Sequence, residues 1–259
     1  MELYTTWLNF DVPPATVMFY PSMAAAPASS LFVLVVADAG GRAGMHVPPA
    51  KPGDPPNRPI GSYAVVQFRP NDSLWAYAVS HEVLEMLVDP GGNRVANGMA
   101  PGTGAIPAQY LMEVCDPCQD LTHAYKLSPF DDVFLCDFCL PAFYGLNSGT
   151  KFTRTGSITQ PLRIANGGSL VFRTEQHGWL KWTSGGVVPV DPATATITAA
   201  DNIRGTLDRV DGYAGPHQEL SSRAVRNKGL GKGLRTTGKG AEDSRARVAA
   251  HAKRLGIKT

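Results

Sequence analysis

The sequence predicts an α+β fold: a small mixed sheet packed on one buried helix, with additional β-hairpins and a disordered basic C-terminal tail. Three observations carry this. An apolar stretch with helix-forming composition covers residues 74–88 and stops at Asp89-Pro90-Gly91-Gly92. Short β-branched runs stand on both sides of it. Gly (27) and Pro (21) are frequent enough that long stretches must be loop, which excludes an all-helical chain. A length of 259 residues suffices for one large domain or two small ones. The expected division is a metal-binding domain over 1–190, a linker or extension over 191–220, and a basic, largely disordered tail over 221–259.

Leu31-Phe32-Val33-Leu34-Val35-Val36 lies between Ser29-Ser30 and Ala39-Gly40-Gly41 and reads as a buried strand. A Pro-rich surface loop follows over residues 47–61, and residues 63–68 form a second strand. Arg69-Pro70-Asn71-Asp72-Ser73 stops that strand and offers Asp72 or Ser73 as N-cap for the helix. The helix is apolar nearly all round (Trp75, Tyr77, Val79, Val83, Leu84, Met86, Leu87), so it belongs inside the domain. After a Gly-rich loop, strands are expected at 110–114, 124–127, 133–138, 169–173 and 180–183, with His177-Gly178 at the turn between the last two. A short helix is expected over 242–255.

The net charge of +2 conceals an asymmetry. From Arg223 onward there are eleven Lys or Arg and two acids, a net of +9, against −7 for the remainder. Glycines among the basic residues, without aromatics, suit loose phosphate or nucleic-acid contact, or a solvated appendage. The start, Met1-Glu2-Leu3-Tyr4, has no basic region followed by an apolar run, and the most apolar stretch, 31–37, is too short to cross a bilayer. The expected location is the cytoplasm, with no membrane partner.

Ser80-His81-Glu82-Val83-Leu84-Glu85-Met86-Leu87-Val88-Asp89-Pro90 carries the chemistry. His81, Glu85 and Asp89 follow one another at i, i+4 and i+8 along one helical face, and Glu82 sits about 100° round from His81. An imidazole and carboxylates in a buried helix cost several kcal/mol unless something compensates. A divalent metal does so through His81 and Glu85, leaving Glu82 beside an open position as general base toward an activated water. The competing arrangement is a hydrogen-bonded cluster with an Arg such as Arg94. A His-Glu-x-x-Glu helix of this kind is zincin-like. Two carboxylate ligands leave a zinc site without net positive charge, so its water is less acidic than in a His-rich site, or the metal is harder than zinc. Tyr110-Leu111-Met112-Glu113-Val114-Cys115-Asp116 supplies two candidates for the third ligand, Glu113 and Asp116, and Asp89 is another. On a strand, Glu113 and Cys115 would face one side and Asp116 the other.

Cys115-x-x-Cys118 and Cys136-x-x-Cys139 use every cysteine, a spacing suited to a second, structural zinc. Packed thiols, or disulfides in an oxidising setting, are the alternatives. Neither pair has the Gly that usually follows a zinc knuckle. His46, His123, His177 and His217 read as ordinary core or surface histidines.

The helix motif, then Met112-Glu113-Val114-Cys115-Asp116-Pro117, then Asp137-Phe138-x-Leu140-Pro141-Ala142-Phe143-Tyr144, resembles a little-characterised family from bacterial and phage genomes. That family carries Ser-His-Glu-x-x-Glu-x-x-x-Asp-Pro, then Glu-Val-Cys-Asp, then Asp-Phe-x-x-Pro-x-Trp/Phe-Phe. Gly44-Met45-His46 is similar to its Gly-Tyr-His stretch, with Met45 replacing an aromatic. The resemblance covers roughly residues 30–185, and only the position of Cys115 is commonly Cys in that family. It implies a zincin-like metallopeptidase domain with His81, Glu82 and Glu85 in the site, adds weight to Glu113 and Asp116, and lets His46 line the cleft. Two function classes follow. One is a zinc-dependent hydrolase acting on a peptide or protein. The other is a non-catalytic protein, such as a phage-particle component located in the virion, whose metals only stabilise a loop-rich domain.

Overall fold

The computed structural model describes residues 10, 12, 15–27, 29–39, 43–47, 49, 61–69, 74–127 and 130–190. The proposed N-caps Asp72 and Ser73, nearly all of the Pro-rich loop, the linker, the basic tail and the helix expected over 242–255 lie outside them.

The architecture is mixed α+β. Strands β1 (Phe32–Val36), β2 (Gly44–Val47) and β3 (Tyr63–Gln67) form a three-stranded sheet in the order β1-β3-β2. β1 runs parallel to β3, with Phe32 opposite Tyr63, and β2 runs antiparallel to it, with His46 opposite Ala64. This small mixed sheet packs through β2 and β3 on α1 (Leu74–Val88), the one α-helix among the described residues. Alternation sets which residues face the helix: Gly44 and His46 of β2, and Ala64 and Val66 of β3, are buried while their neighbours are not.

Strands β4 (Val95–Met99) and β5 (Pro107–Leu111) continue from the helix into a second, antiparallel sheet. β6 (Tyr125–Leu127) and β7 (Phe130–Leu135) make a separate hairpin, and β7 packs on α1. β8 (Ser169–Thr174), β9 (Gly178–Thr183) and β10 (Gly186–Pro189) complete the five-stranded sheet in the order β10-β9-β8-β5-β4. Its two faces bury different residues. Tyr110, Leu170 and Phe172 enter the main core with Tyr77, Leu84 and Val88 of the helix, whereas Leu111, Val171 and Trp179 form a smaller cluster with Val190. The β8–β9 turn falls where His177-Gly178 suggested, and Gly178 takes a positive φ of 65° there.

The helix spans the expected residues and ends for legible reasons. Asp89 N–H still donates to Glu85 O, Gly92 takes φ 62°, and the Asp89 carboxylate accepts from the backbone N–H groups of Asn93 (3.0 Å) and Arg94 (2.8 Å). The Arg94 guanidinium donates to Val88 O at 3.1 Å, satisfying a carbonyl of the helix's last turn, and to Phe10 O at 2.8 Å.

Several strand boundaries differ from expectation. The strand expected at 110–114 is β5, ending at Leu111. Met112 still donates to Arg94 O, but Cys115 adopts helical angles (φ −95°, ψ −30°) and leads into a 3-10 turn at Asp116–Cys118 with Pro117 inside it. The two-faced placement of Glu113, Cys115 and Asp116 on a strand therefore does not hold. The strand expected at 133–138 is β7, which ends at Leu135 and frees Cys136 to Phe138 from regular pairing. β2, β4 and β10 have no counterpart among the expected strands; β4 carries an interior Gly98, which made that segment read as loop.

Candidate metal centre

The i, i+4 geometry of α1 brings His81 and Glu85 together, with Nε2 of His81 3.1 Å from Glu85 Oε1. The turn after β5 brings in Asp116, whose Oδ1 lies 3.5 Å from the same nitrogen. One donor atom from each of the three residues falls within 4.8 Å of the others. In a tetrahedral site with Zn–N of about 2.0–2.1 Å and Zn–O of about 2.0–2.2 Å, the N···O edge is about 3.4 Å. The two separations bracket that edge, so these residues fit a common ion.

Glu113 is buried but is not one of the three. It sits in the connection that carries Asp116, and its backbone carbonyl accepts from Tyr144 Oη at 3.2 Å. Asp89 has both carboxylate oxygens engaged by the turn after the helix. Arg94, the cation considered as a neutralising partner, directs its guanidinium to backbone carbonyls instead.

Glu82 lies on the neighbouring helical face, 1% exposed, and is packed against β2. A Cβ at Gly44 would come 2.8 Å from Glu82 Oε1 and 2.9 Å from its Cγ. Glycine at this position is what allows β2 to approach the carboxylate. His46, two residues along on the same buried face, pairs through Nε2 with Ser62 Oγ at 2.8 Å, while Ser62 Oγ donates to Val47 O. If the Ser62 hydroxyl proton points to Val47, the His46 Nε2–H is the donor to Ser62.

Sulfur surrounds the other side of His81. Cys136 N–H donates to Ser80 Oγ at 2.9 Å, fixing the end of β7 on the helix, and Cys136 Sγ lies 3.5 Å from His81 Nδ1. Cys115 Sγ contacts His81 O at 3.7 Å. The two Cys-x-x-Cys segments are joined by Cys139 N–H donating to Val114 O at 2.7 Å. All four cysteines are buried free thiols. Cys115 and Cys136 form a second close group with His81, while Cys118 and Cys139 belong to neither close group and contact each other.

These surroundings shift proton affinities strongly. Burial opposes protonation of His81, yet Glu85 and Cys136, with Asp116, carry its pKa well above the ordinary imidazole value. Desolvation alone would raise Cys136, but contacts from Cys115, His81 and Tyr77 bring it down to about 7. Burial, then Cys136, pushes Cys115 up. Tyr144 is raised well above the ordinary phenol by burial and by the negative groups Cys139, Glu113 and Glu85.

Tyr77, Tyr144 and Gly44 were not singled out as functional from the residues alone. Tyr77 stands at i−4 from His81, a spacing that was available to helical periodicity. Tyr144 reaches the centre from the 3-10 turn Pro141–Tyr144, and no local pattern announces that approach.

Comparison with protein-family models, curated proteins and solved structures finds no match. Among the described residues, no helix is long and apolar enough to cross a membrane.

Proposed function

We propose that the chain is a metal-dependent hydrolase acting on peptide bonds, with His81, Glu85 and Asp116 holding a zinc ion and Glu82 acting as general base. The observation that carries this reading is the buried three-donor group around His81 Nε2, with Glu82 next to His81 on the same helix. Four acidic residues, Glu82, Glu85, Glu113 and Asp116, are buried together, a concentration of buried acid that a dication offsets. A bound divalent ion would supply Lewis acidity, polarising a carbonyl and easing ionisation of water. Glu82 would accept the proton of the attacking water and return it to the leaving amine.

The peptide substrate class is supported by β2. It is an edge strand of its sheet, antiparallel to β3, and its Gly44 lies against Glu82. An extended peptide added to such an edge would run beside the base. The sequence resemblance to a metallopeptidase-like family points the same way.

Burial favours the second reading, a structural or virion-associated protein. His81 and Glu82 are 1% exposed and Glu85 0%, as expected for a metal that only staples the fold.

Elemental analysis of wild-type and His81→Ala proteins, followed by a peptide-library cleavage screen with Glu82→Gln as control, separates the readings. The hydrolase reading expects metal lost with His81 and cleavage lost with Glu82 while metal is retained. Metal bound without cleavage of any library peptide supports the structural reading, and no metal removes the hydrolase reading.

A further inference from the structure

His81 has two ring nitrogens, and the proposed hydrolytic site uses only one. Nδ1 faces sulfur: it lies 3.5 Å from Cys136 Sγ, and His81, Cys115 and Cys136 each place a donor atom within 4.8 Å of the others. All three residues are buried, and neither cysteine is in a disulfide. With Zn–N of about 2.0–2.1 Å and Zn–S of about 2.3 Å, tetrahedral coordination sets an N···S edge of about 3.6 Å. The observed separation fits two ligands on one ion as well as it fits a thiol–imidazole hydrogen bond.

We propose that His81 Nδ1, Cys115 Sγ and Cys136 Sγ form a second metal position, on the opposite side of the imidazole from Glu85 and Asp116. Its donors are soft, so it takes a thiophilic ion such as zinc, whereas the carboxylate position accepts harder ions as well. With both positions filled, His81 bridges the two ions as an imidazolate, its remaining ring proton released to solvent, and its ring orientation is held from both sides. This differs from a four-cysteine site. Cys118 and Cys139, in contact with each other and near Cys136, are not in the close group, where histidine is the third ligand. The position goes beyond the hydrolase reading and stands whether or not cleavage is found.

The test is cobalt(II) loading of the full chain under reducing conditions, reading bound equivalents and near-ultraviolet absorption. Thiolate ligation of cobalt gives intense charge-transfer absorption there, which imidazole and carboxylate ligands do not. The expected result is two equivalents with the near-ultraviolet band present. Cys115→Ser and Cys136→Ser each lose one equivalent and the band, Glu85→Gln loses the other equivalent and keeps the band, and Cys118→Ser and Cys139→Ser keep both. Wild-type protein without the band overturns the thiolate position without recourse to any variant. If one equivalent is then bound, the carboxylate site stands, and Cys136 is only a hydrogen-bond partner of His81. A band lost equally with Cys118→Ser or Cys139→Ser indicates a four-cysteine site and also overturns the proposal. One equivalent with a band that survives Glu85→Gln upholds the thiolate position and removes the carboxylate site instead.

Discussion

Replacing Gly44 by alanine isolates Glu82 from the metal ligands. The added methyl would stand 2.8 Å from Oε1, 2.9 Å from Cγ and 3.2 Å from Cδ of Glu82, and these are its three nearest neighbours. Ordinary contact begins near 3.4 Å, so the Glu82 side chain must retreat by roughly half an ångström or more. Overpacking of this kind costs about 1–3 kcal/mol. A Gly→Ala change at an unstrained backbone position returns about 0.4–1 kcal/mol by restricting the unfolded chain. The expected net loss therefore lies between about zero and about 2.6 kcal/mol by urea unfolding. Gly61→Ala is the control, because a Cβ there meets nothing within 4 Å, and it should be neutral or slightly stabilising. If Glu82 is the base, a shift of roughly half an ångström should lower kcat on the order of tenfold, a 1 Å misplacement costing about a hundredfold. Metal content should stay unchanged, since the nearest atoms belong to none of the proposed ligands. Adding Glu82→Asp removes the crowded methylene and should recover much of the lost stability. A Gly44→Ala protein clearly more stable than wild type, or one that loses its metal, would refute this account of how β2 holds Glu82.

Four further outcomes are expected. A chelator should destabilise wild-type protein, by about 2.7 kcal/mol relative to a hundredfold excess of metal over its Kd, and should leave His81→Ala unmoved; equal shifts in both would place the metal elsewhere. In chelator, the raised pKa of His81 means that the folded chain holds its proton more tightly than the unfolded chain. Its stabilising contribution is then full below about 6.5 and is lost as pH rises through the folded value, so the stability gap between wild type and His81→Gln should narrow with pH; a constant gap counts against the buried His81–Glu85 pair. Asp137→Ala removes the acceptor of Phe138 N–H and Thr155 N–H (both 2.9 Å) and of the Thr155 and Ser157 hydroxyls (both 2.6 Å). Two orphaned backbone donors cost about 2–6 kcal/mol, and a loss below about 1 kcal/mol in urea unfolding would contradict this. Gly168→Ala would drive a Cβ into the Pro117 backbone carbonyl, which already accepts from Ala165 N–H, so it should unfold the chain or shift the Asp116 turn enough to weaken metal binding; calorimetry showing a wild-type midpoint argues against that packing.

The helix and its chemistry were legible because they are local. A 3.6-residue period places His81 beside Glu85 in any α-helix, and the breakers after Val88 end that helix without help from the rest of the chain. β1 and β3 of the first sheet and the β8–β9 hairpin were visible for the same reason, through β-branched runs between turn residues, whereas β2 was not. The approach of Asp116 to His81 was not local. It depends on β5 ending at Leu111 and the chain turning at Cys115, where pairing with Arg94 gives way to a 3-10 turn. The cysteine spacing suggested one four-thiol site; that Cys136 and Cys115 also come close to His81 was not legible, because it depends on the end of β7, where Cys136 N–H donates to Ser80 on the helix. Gly44 became meaningful only once β2 paired with β3 and lay across Glu82. Sequence alone determined the donors on α1, because backbone periodicity is intrinsic to the helix. Tertiary structure decided what meets them, because contacts between segments far apart in the chain depend on packing and pairing that no local pattern encodes.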